Sequence, residues 1–497
     1  MSDDESAGLP LQAAKTRTTD VVIVGAGPAS LAAASVLLQD PQLHLTLVDA
    51  GVRPGGQYWR QPALDFTPFG LAGRPLRRLY HDLDVFEQLS ADVGNGERSG
   101  RLELLSGCQA WTVVAEGDGY AVHLVERVRP GEERPLVRRS DRVILATGAY
   151  DRALPFGGWD LPGVMTAGGL QALLKGNDVL VGHKIAVAGT GPFLLPVAAG
   201  LADRGAHVVG VFEANSPTRW LRHAGAVAAN VDKLKEGFDY GVVLARHRVP
   251  VRLRRMVTVA HGTDRVEAVT TVRLDRHGQG IPGSEERHSV DAVGVGWGFT
   301  PQLDLALTLG CELVRDPAGT AVVAVDDEQR TTRTGVYAAG EICGVGGAAL
   351  AVAEGRLAAA SILRRRGAHL QGTSETRARR AVARLRRFAA AMHAAYPVPD
   401  GWSAAMTADT VFCRCEEVPY AAIQATLAEH GCGSARQLKQ LTRVGMGWCQ
   451  GRVCGYAADL ITAGVPGEPP ERLVAAPISL GTLARLNAEE KPIGGAM

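Results

Sequence analysis

The chain has 497 residues, too many for a single hydrophobic core, so several domains are expected. Hydrophobic residues make up 46% and charged residues 21%, and the formal net charge is +1. That balance fits a globular enzyme and excludes a global field that would gather nucleic acid or an acidic membrane surface. The opening MSDDESAG is acidic and polar and lacks the basic and apolar regions of a secretion signal, so a cytoplasmic location is expected. Attachment to the inner face of the membrane is compatible with it. Asp20 to Val24 reads as a short apolar strand, followed by a glycine turn, a helix over Leu31 to Leu38 and a strand over Leu43 to Val48. Thr112 to Val128 alternates like antiparallel strands, and Asp141 to Gly148 is a further buried strand. The pattern then restarts: strand Lys184 to Ala188, glycine turn, helix Phe193 to Asp203, strand His207 to Phe212. This repeat accounts for the longest uncharged run, Ile185 to Ala202, which contains three Gly and two Pro and is no membrane span. Gly335 to Ala339 is a late strand, and Ala349 to Arg365 a helix. From Arg377 to Tyr396, apolar residues at helical spacing oppose arginines, the pattern of a packed connecting helix with a solvated face.

The first turn carries recognisable chemistry. Gly25 allows a tight bend, and Gly27 lets backbone approach a pyrophosphate. Pro28, Ala29 and Ser30 complete the turn before the helix, whose N-terminus offers unpaired N–H groups and a positive dipole end. Ser30 replaces the usual third glycine, and Asp49 stands where an acid accepts ribose hydroxyls. Three further segments favour FAD over NAD here: Gly55-Gly56-Gln57 after the second strand, Ala146-Thr147-Gly148 at a strand end, and Gly340-Glu341 after the late strand. In the second turn Gly189 and Gly191 are in place and Glu213 fills the ribose position, which suits NAD or another adenine nucleotide. Leu194 stands where the third glycine belongs, so a turn that binds nothing is an equal reading.

In this order the segments resemble the flavoprotein superfamily with two dinucleotide-binding domains, typified by glutathione and thioredoxin reductases. The resemblance implies an α/β fold with two Rossmann-like units, cofactor contacts from Thr147 and Gly148, and a ribityl contact from Glu341. Reductases of this kind carry a CxxxxC or CxxC pair near the flavin. Here Cys108, Cys311 and Cys343 stand far apart and read as small buried hydrophobes, so thiol–disulfide exchange is not expected.

Four other cysteines crowd together. Cys413, Cys415, Cys449 and Cys454 form C-x-C and C-x4-C pairs, the four thiolates of an iron–sulfur cluster. Zinc also takes four cysteines but usually from C-x2-4-C knuckles. Gly445, Gly447, Gly451 and Gly455 would let backbone wrap closely, and Cys432 reads as structural. The segment resembles the small helical [2Fe-2S] domain related to bacterioferritin-associated ferredoxin. Fused after an FAD domain, with the tail around Pro477 to Ala484, it is similar to flavin subunits of opine oxidases, hydrogen cyanide synthase and D-hydroxyproline dehydrogenase.

The expected organisation is a polar tail (1–19), an FAD domain (20–165 and 290–366), a second nucleotide domain (166–289), a linker and basic helix (367–404), a [2Fe-2S] domain (405–468) and a C-terminal tail (469–497). The sequence shows no convincing substrate-oxidising base. The resemblance implies a reason: a second FAD-containing subunit oxidises an amino or imino acid, with room for a small third subunit, and this chain relays electrons. The alternative is a self-sufficient NADH-dependent reductase passing electrons through the cluster. A zinc-stabilised binding module on an inactive flavoprotein fold is the non-enzymatic reading.

Overall fold

The computed structural model describes residues 15–62, 82–129, 132–368, 372–465, 467, 472 and 474–489. Of the expected tails, residues 1–14, 469–471, 473 and 490–497 lie outside these. The first unit begins with strand β1 (Lys15–Val24), helix α1 (Pro28–Leu37) and strand β2 (Leu45–Asp49). The helix starts three residues before the expected Leu31 because Pro28 takes its first turn, where a fixed φ suits helix and no N–H is missed. Helix α2 (Leu83–Arg98) leads to β3 (Leu102–Ser106), and β4 (Cys108–Glu116), β5 (Gly119–Arg129) and β6 (Glu132–Leu145) form the antiparallel run. The strand order is β3-β2-β1-β6-β5-β4. β1 is parallel to β6, so Val24 lies beside Leu145 and both strands end together at one edge.

Short strand β7 (Ala149–Asp151) leaves this unit, and β8 (Val164–Thr166), helix α3 (Ala167–Asn177), β9 (Lys184–Gly189), helix α4 (Leu194–Asp203) and β10 (His207–Glu213) build the second. Helices α5 (Ala224–Ala228) and α6 (Val231–Arg246) precede strands β11 (Val251–Leu253), β12 (Arg255–His261), β13 (Ala268–Arg273), β14 (Glu286–Ser289) and β15 (Ala292–Gly296). The second parallel sheet has the order β11-β10-β9-β15-β8. The chain returns through β16 (Phe299–Pro301), which pairs antiparallel with β7 and makes a two-stranded ribbon between the units.

Helix α7 (Asp304–Thr308) and strands β17 (Leu313–Arg315) and β18 (Ala321–Val323) follow, and β19 (Val336–Ala338) joins the first sheet beside β6. Helix α8 (Ala348–Arg365) then lies on α1. Both helices are alanine-rich and buried nearly all round, which permits a close crossing: a Cβ on Gly355 would sit 2.7 Å from the carbonyl carbon of Ala29. The connecting helix α9 (Gly372–Ala395) packs Leu385 and Ala389 against Leu350 and stops before Pro397. The cysteine-bearing region is a two-stranded ribbon (Val411–Cys413 with Val418–Pro419) and helices α10 (Tyr420–His430), α11 (Ala435–Thr442) and α12 (Gly455–Ala463). Helix α13 (Leu480–Glu489) closes the described chain. No helix among the described residues is long and apolar enough to cross a membrane.

Candidate functional site

The first turn is assembled where β1, β6 and β19 end. Gly25 has φ +101°, and a Cβ there would press on the Ala146 carbonyl, 3.0 Å from its carbon. Only glycine meets both demands. Gly27 caps α1 without a side-chain partner, leaving the first-turn N–H groups directed outward. A Cβ on Gly56 would fall 2.9 Å from Gly27 Cα, so the two turns interlock, and Gly55 N–H donates to the Ala26 carbonyl at 2.7 Å. The Ser30 hydroxyl is fully buried and has no hydrogen-bond partner among the described residues. A backbone cradle without room for side chains, a free helix end and an orphaned hydroxyl fit a dinucleotide pyrophosphate.

Asp49 accepts from the N–H of Ala26, in a short bond, and of Gly51 at 2.5 Å. Burial nevertheless raises its carboxyl above the ordinary value, the two N–H groups opposing. Thr147 donates its hydroxyl to the Gln302 carbonyl at 2.7 Å, and Gln302 N–H donates to the Gly148 carbonyl at 2.9 Å. Gly340, at φ +82°, abuts the Ala29 side chain, and its N–H donates to the Glu354 carboxylate at 2.8 Å. Glu341 accepts from Gly347 N–H at 2.8 Å, and burial pushes its carboxyl up. Gln57 is the outlier of the set: it is exposed and its amide oxygen accepts from Arg60.

Sequence reading missed the support behind this edge. Glu354 is fully buried and paired with Arg386 of α9, which also donates to the Gly344 carbonyl at 2.9 Å. Burial pushes Glu354 up to about 7 despite the guanidinium. The arginines of α9 gave no signal that one of them turns inward.

The second turn repeats the backbone but not the opening. Gly189 has φ +132° and Gly191 φ +101°. Leu194 does not force helix and strand apart, because it packs against Gly296 of β15, where there is no side chain to meet. Glu213 is 7% exposed and already takes three donors: Thr190 Oγ1 at 3.0 Å, Asn215 N at 2.8 Å and Gly191 N at 2.8 Å. Asn215 is itself held by the Pro397 carbonyl at 2.8 Å, and Trp220 stacks on Phe388 of α9 beside it. These bonds leave little of the carboxylate's acceptor capacity for a ribose.

The four clustered cysteines do converge. Cys413 and Cys454 are buried with Sγ atoms 3.7 Å apart, while Cys415 and Cys449 are half-buried and interact with each other. The neighbouring Cys454 thiol and backbone N–H groups, including those of Gly445 and Glu416, draw Cys413 down to about 6. The Cys454 thiol, then the Val453 N–H and the Cys415 thiol, draw Cys449 down to about 5. Burial pushes Cys415 up. Gly447 is needed because a Cβ would collide with that of Cys415. Among the described residues no three His, Cys, Asp or Glu side chains surround one point as a single metal ion requires. A two-iron cluster makes a different demand, two thiolates per iron, and adjacent cysteine pairs with inward N–H groups fit it. Cys432, Cys108, Cys311 and Cys343 are buried elsewhere, and all eight cysteines are free thiols.

The family model for pyridine nucleotide-disulphide oxidoreductases matches residues 19–358. The chain is 32% identical to the HcnB component of hydrogen cyanide synthase from Pseudomonas protegens, across 88% of its own length and 91% of that protein. It is 30% identical to one of the subunits of opine oxidase from Agrobacterium tumefaciens, across 95% of its own length and 90% of that protein. L-Proline dehydrogenase from P. horikoshii shares the fold over 95% of this chain and 80% of its own, with a TM-score of 0.65 and 20% identity.

Proposed function

Because the chain belongs to the pyridine nucleotide-disulphide oxidoreductase family and is a FAD-dependent oxidoreductase, we propose that it is the electron-transfer subunit of a hetero-oligomeric amino-acid or imino-acid dehydrogenase. FAD lies across the first turn, held by Gly25, Gly27, Ser30, Asp49, Thr147, Gly148 and Glu341. A [2Fe-2S] cluster is held by Cys413, Cys415, Cys449 and Cys454, within a small domain of residues 405–468. Bound together, a flavin that accepts two electrons and a cluster that carries one supply a converter between the two. The single observation that carries the reading is the convergence of two cysteine pairs, Sγ 3.7 Å apart at its buried end, in a chain whose nucleotide-binding units hold no cysteine pair.

The relatives named above are subunits, which supports a separate substrate-oxidising, FAD-containing partner. The Glu213 carboxylate, already engaged by three donors, favours that partner over NADH as the electron source. The test is one absorbance spectrum with iron and zinc analysis of the anaerobically purified chain, alone and with its genomic-neighbour flavoprotein. Flavin bands and about two irons per chain are expected for this ligation, with reduction by an amino acid only when the partner is present. Zinc without iron would refute the relay, and bleaching of the lone chain by NADH would favour the self-sufficient reductase.

A further inference from the structure

The cysteine-bearing region meets the nucleotide-binding units at Trp159 and Asp160, where Trp159 Nε1 donates to the Val411 carbonyl at 2.5 Å and Arg414 to the Asp160 carbonyl at 3.3 Å, and at the ribbon of β7 and β16 that runs from the Thr147–Gly148 turn. Two grips hold it there. The first is Asp304, two residues beyond Gln302, whose main chain is bonded to both Thr147 and Gly148. The Asp304 side chain is 11% exposed and takes one arginine on each oxygen. Arg452, which lies between Cys449 and Cys454, reaches Oδ2 at 2.9 Å and also donates to the Ala475 carbonyl at 2.7 Å. Arg472 reaches Oδ1 and, with its other nitrogen, the carbonyl of Gln450, the residue after Cys449. The second grip is Arg152, directly after β7, whose guanidinium lies 3.9 Å from the ring centroid of Tyr456, two residues past Cys454. Arg152 is anchored to the ribbon by its N–H to the Gly298 carbonyl at 2.9 Å and its Nη2 to the Phe299 carbonyl at 2.9 Å.

We infer that Asp304 is a positioning residue: it fixes the Cys449–Cys454 loop at the flavin-side turn, and so sets the separation and the local charge across which electrons pass. This rests on the proposed placement of the cofactors for its consequence, but the clamp itself concerns only residues of this chain. A carboxylate is the group the position demands. It is buried, it has two oxygens for two guanidinium groups, and it is the direct counter-charge for both. Removing it leaves two arginines without their partner beside thiolates, which loosens the loop and makes the surroundings of the cysteines more positive. Electron transfer falls steeply with separation, so a loop held by one grip instead of two passes electrons more slowly.

The experiment uses the full chain with Asp304→Asn, which keeps shape and one acceptor, and Arg472→Met, which removes one arm together with its bond to the Gln450 carbonyl. Hydrogen–deuterium exchange of residues 449–456 is expected to quicken about tenfold in Asp304→Asn, a loss of about 1.4 kcal/mol in local opening free energy, and to quicken also in Arg472→Met, which loses its bond to the Gln450 carbonyl. In the iron-loaded chain the midpoint potential of the cluster is expected to rise in Asp304→Asn, since net charge sets it, and the rate of electron passage from reduced flavin to fall. Unchanged exchange would overturn the clamp, whether or not iron is bound. Faster exchange with an unmoved potential and rate would overturn the role in electron passage. Absence of iron from the unaltered chain would sink the proposed function instead, and leaves the exchange result to judge the clamp.

Discussion

Replacing Gly355 by Ala tests whether the α1–α8 crossing sets the geometry of the first turn. The added Cβ would stand 2.7 Å from the carbonyl carbon and 3.0 Å from the Cα of Ala29, both backbone atoms at the start of α1. The Ala29 carbonyl oxygen would be closer still, and an ordinary carbon–oxygen contact is above about 3 Å, so the helices must part by more than about 1 Å at a place where both are packed nearly all round. Overpacking of this kind costs about 1–3 kcal/mol, and the loss of the close crossing adds to it; the better helix propensity of Ala returns about 1 kcal/mol. The net expectation is a loss of about 2 kcal/mol, or a Tm lower by about 4–8 °C on the scale of a 150–250-residue unit, together with reduced flavin content because Gly27 to Ser30 move. Gly241→Ala provides the matched control. It sits inside α6 with nothing within 4 Å of an added Cβ, and should stabilise by up to about 1 kcal/mol. Thermal unfolding followed by circular dichroism, with flavin fluorescence on release, reads both variants. If Gly355→Ala melts at the native temperature with a full complement of flavin, the close crossing does not control the turn and the reasoning fails.

Serine substitution of Cys413, Cys415, Cys449 or Cys454 should abolish stoichiometric iron, whereas substitution of Cys108, Cys311, Cys343 or Cys432 should leave it; metal analysis of the eight proteins decides. Glu213→Ala strips acceptors from two backbone N–H groups and the Thr190 hydroxyl, so a loss of about 1–3 kcal/mol in stability with unchanged flavin content is expected from denaturant unfolding. Burial raises Glu354 from 4.5 to about 7 against the opposing Arg386 guanidinium, so between those values the folded chain holds its proton more firmly than the unfolded chain. Its contribution to stability is therefore complete below about 4.5 and declines as pH rises toward 7. Glu354→Gln should flatten the fall of Tm with pH across that window, and an unaltered slope would contradict the assignment.

How much of this was written in the sequence follows from how local each feature is. A strand, a glycine turn and a helix are fixed by neighbours in the chain, so both βαβ units were legible, as was the tight backbone at Gly25 and Gly27. The cysteine pairs were legible too, because their spacing within 413–454 is itself the signal. That Leu194 fits without a third glycine depends on Gly296, about a hundred residues away and visible only across the packed helix and strand. Glu213 had the right residue in the right place, but its availability is governed by Asn215 and by Pro397, which is 182 residues from Asn215. Asp304 carried no pattern at all, since its partners Arg452 and Arg472 stand 148 and 168 residues downstream. Local sequence thus determined which elements form and where glycine and cysteine chemistry resides. Tertiary packing alone decided which of those groups stay open and which charges are buried together, because burial and pairing are properties of surfaces that meet only after the chain has folded.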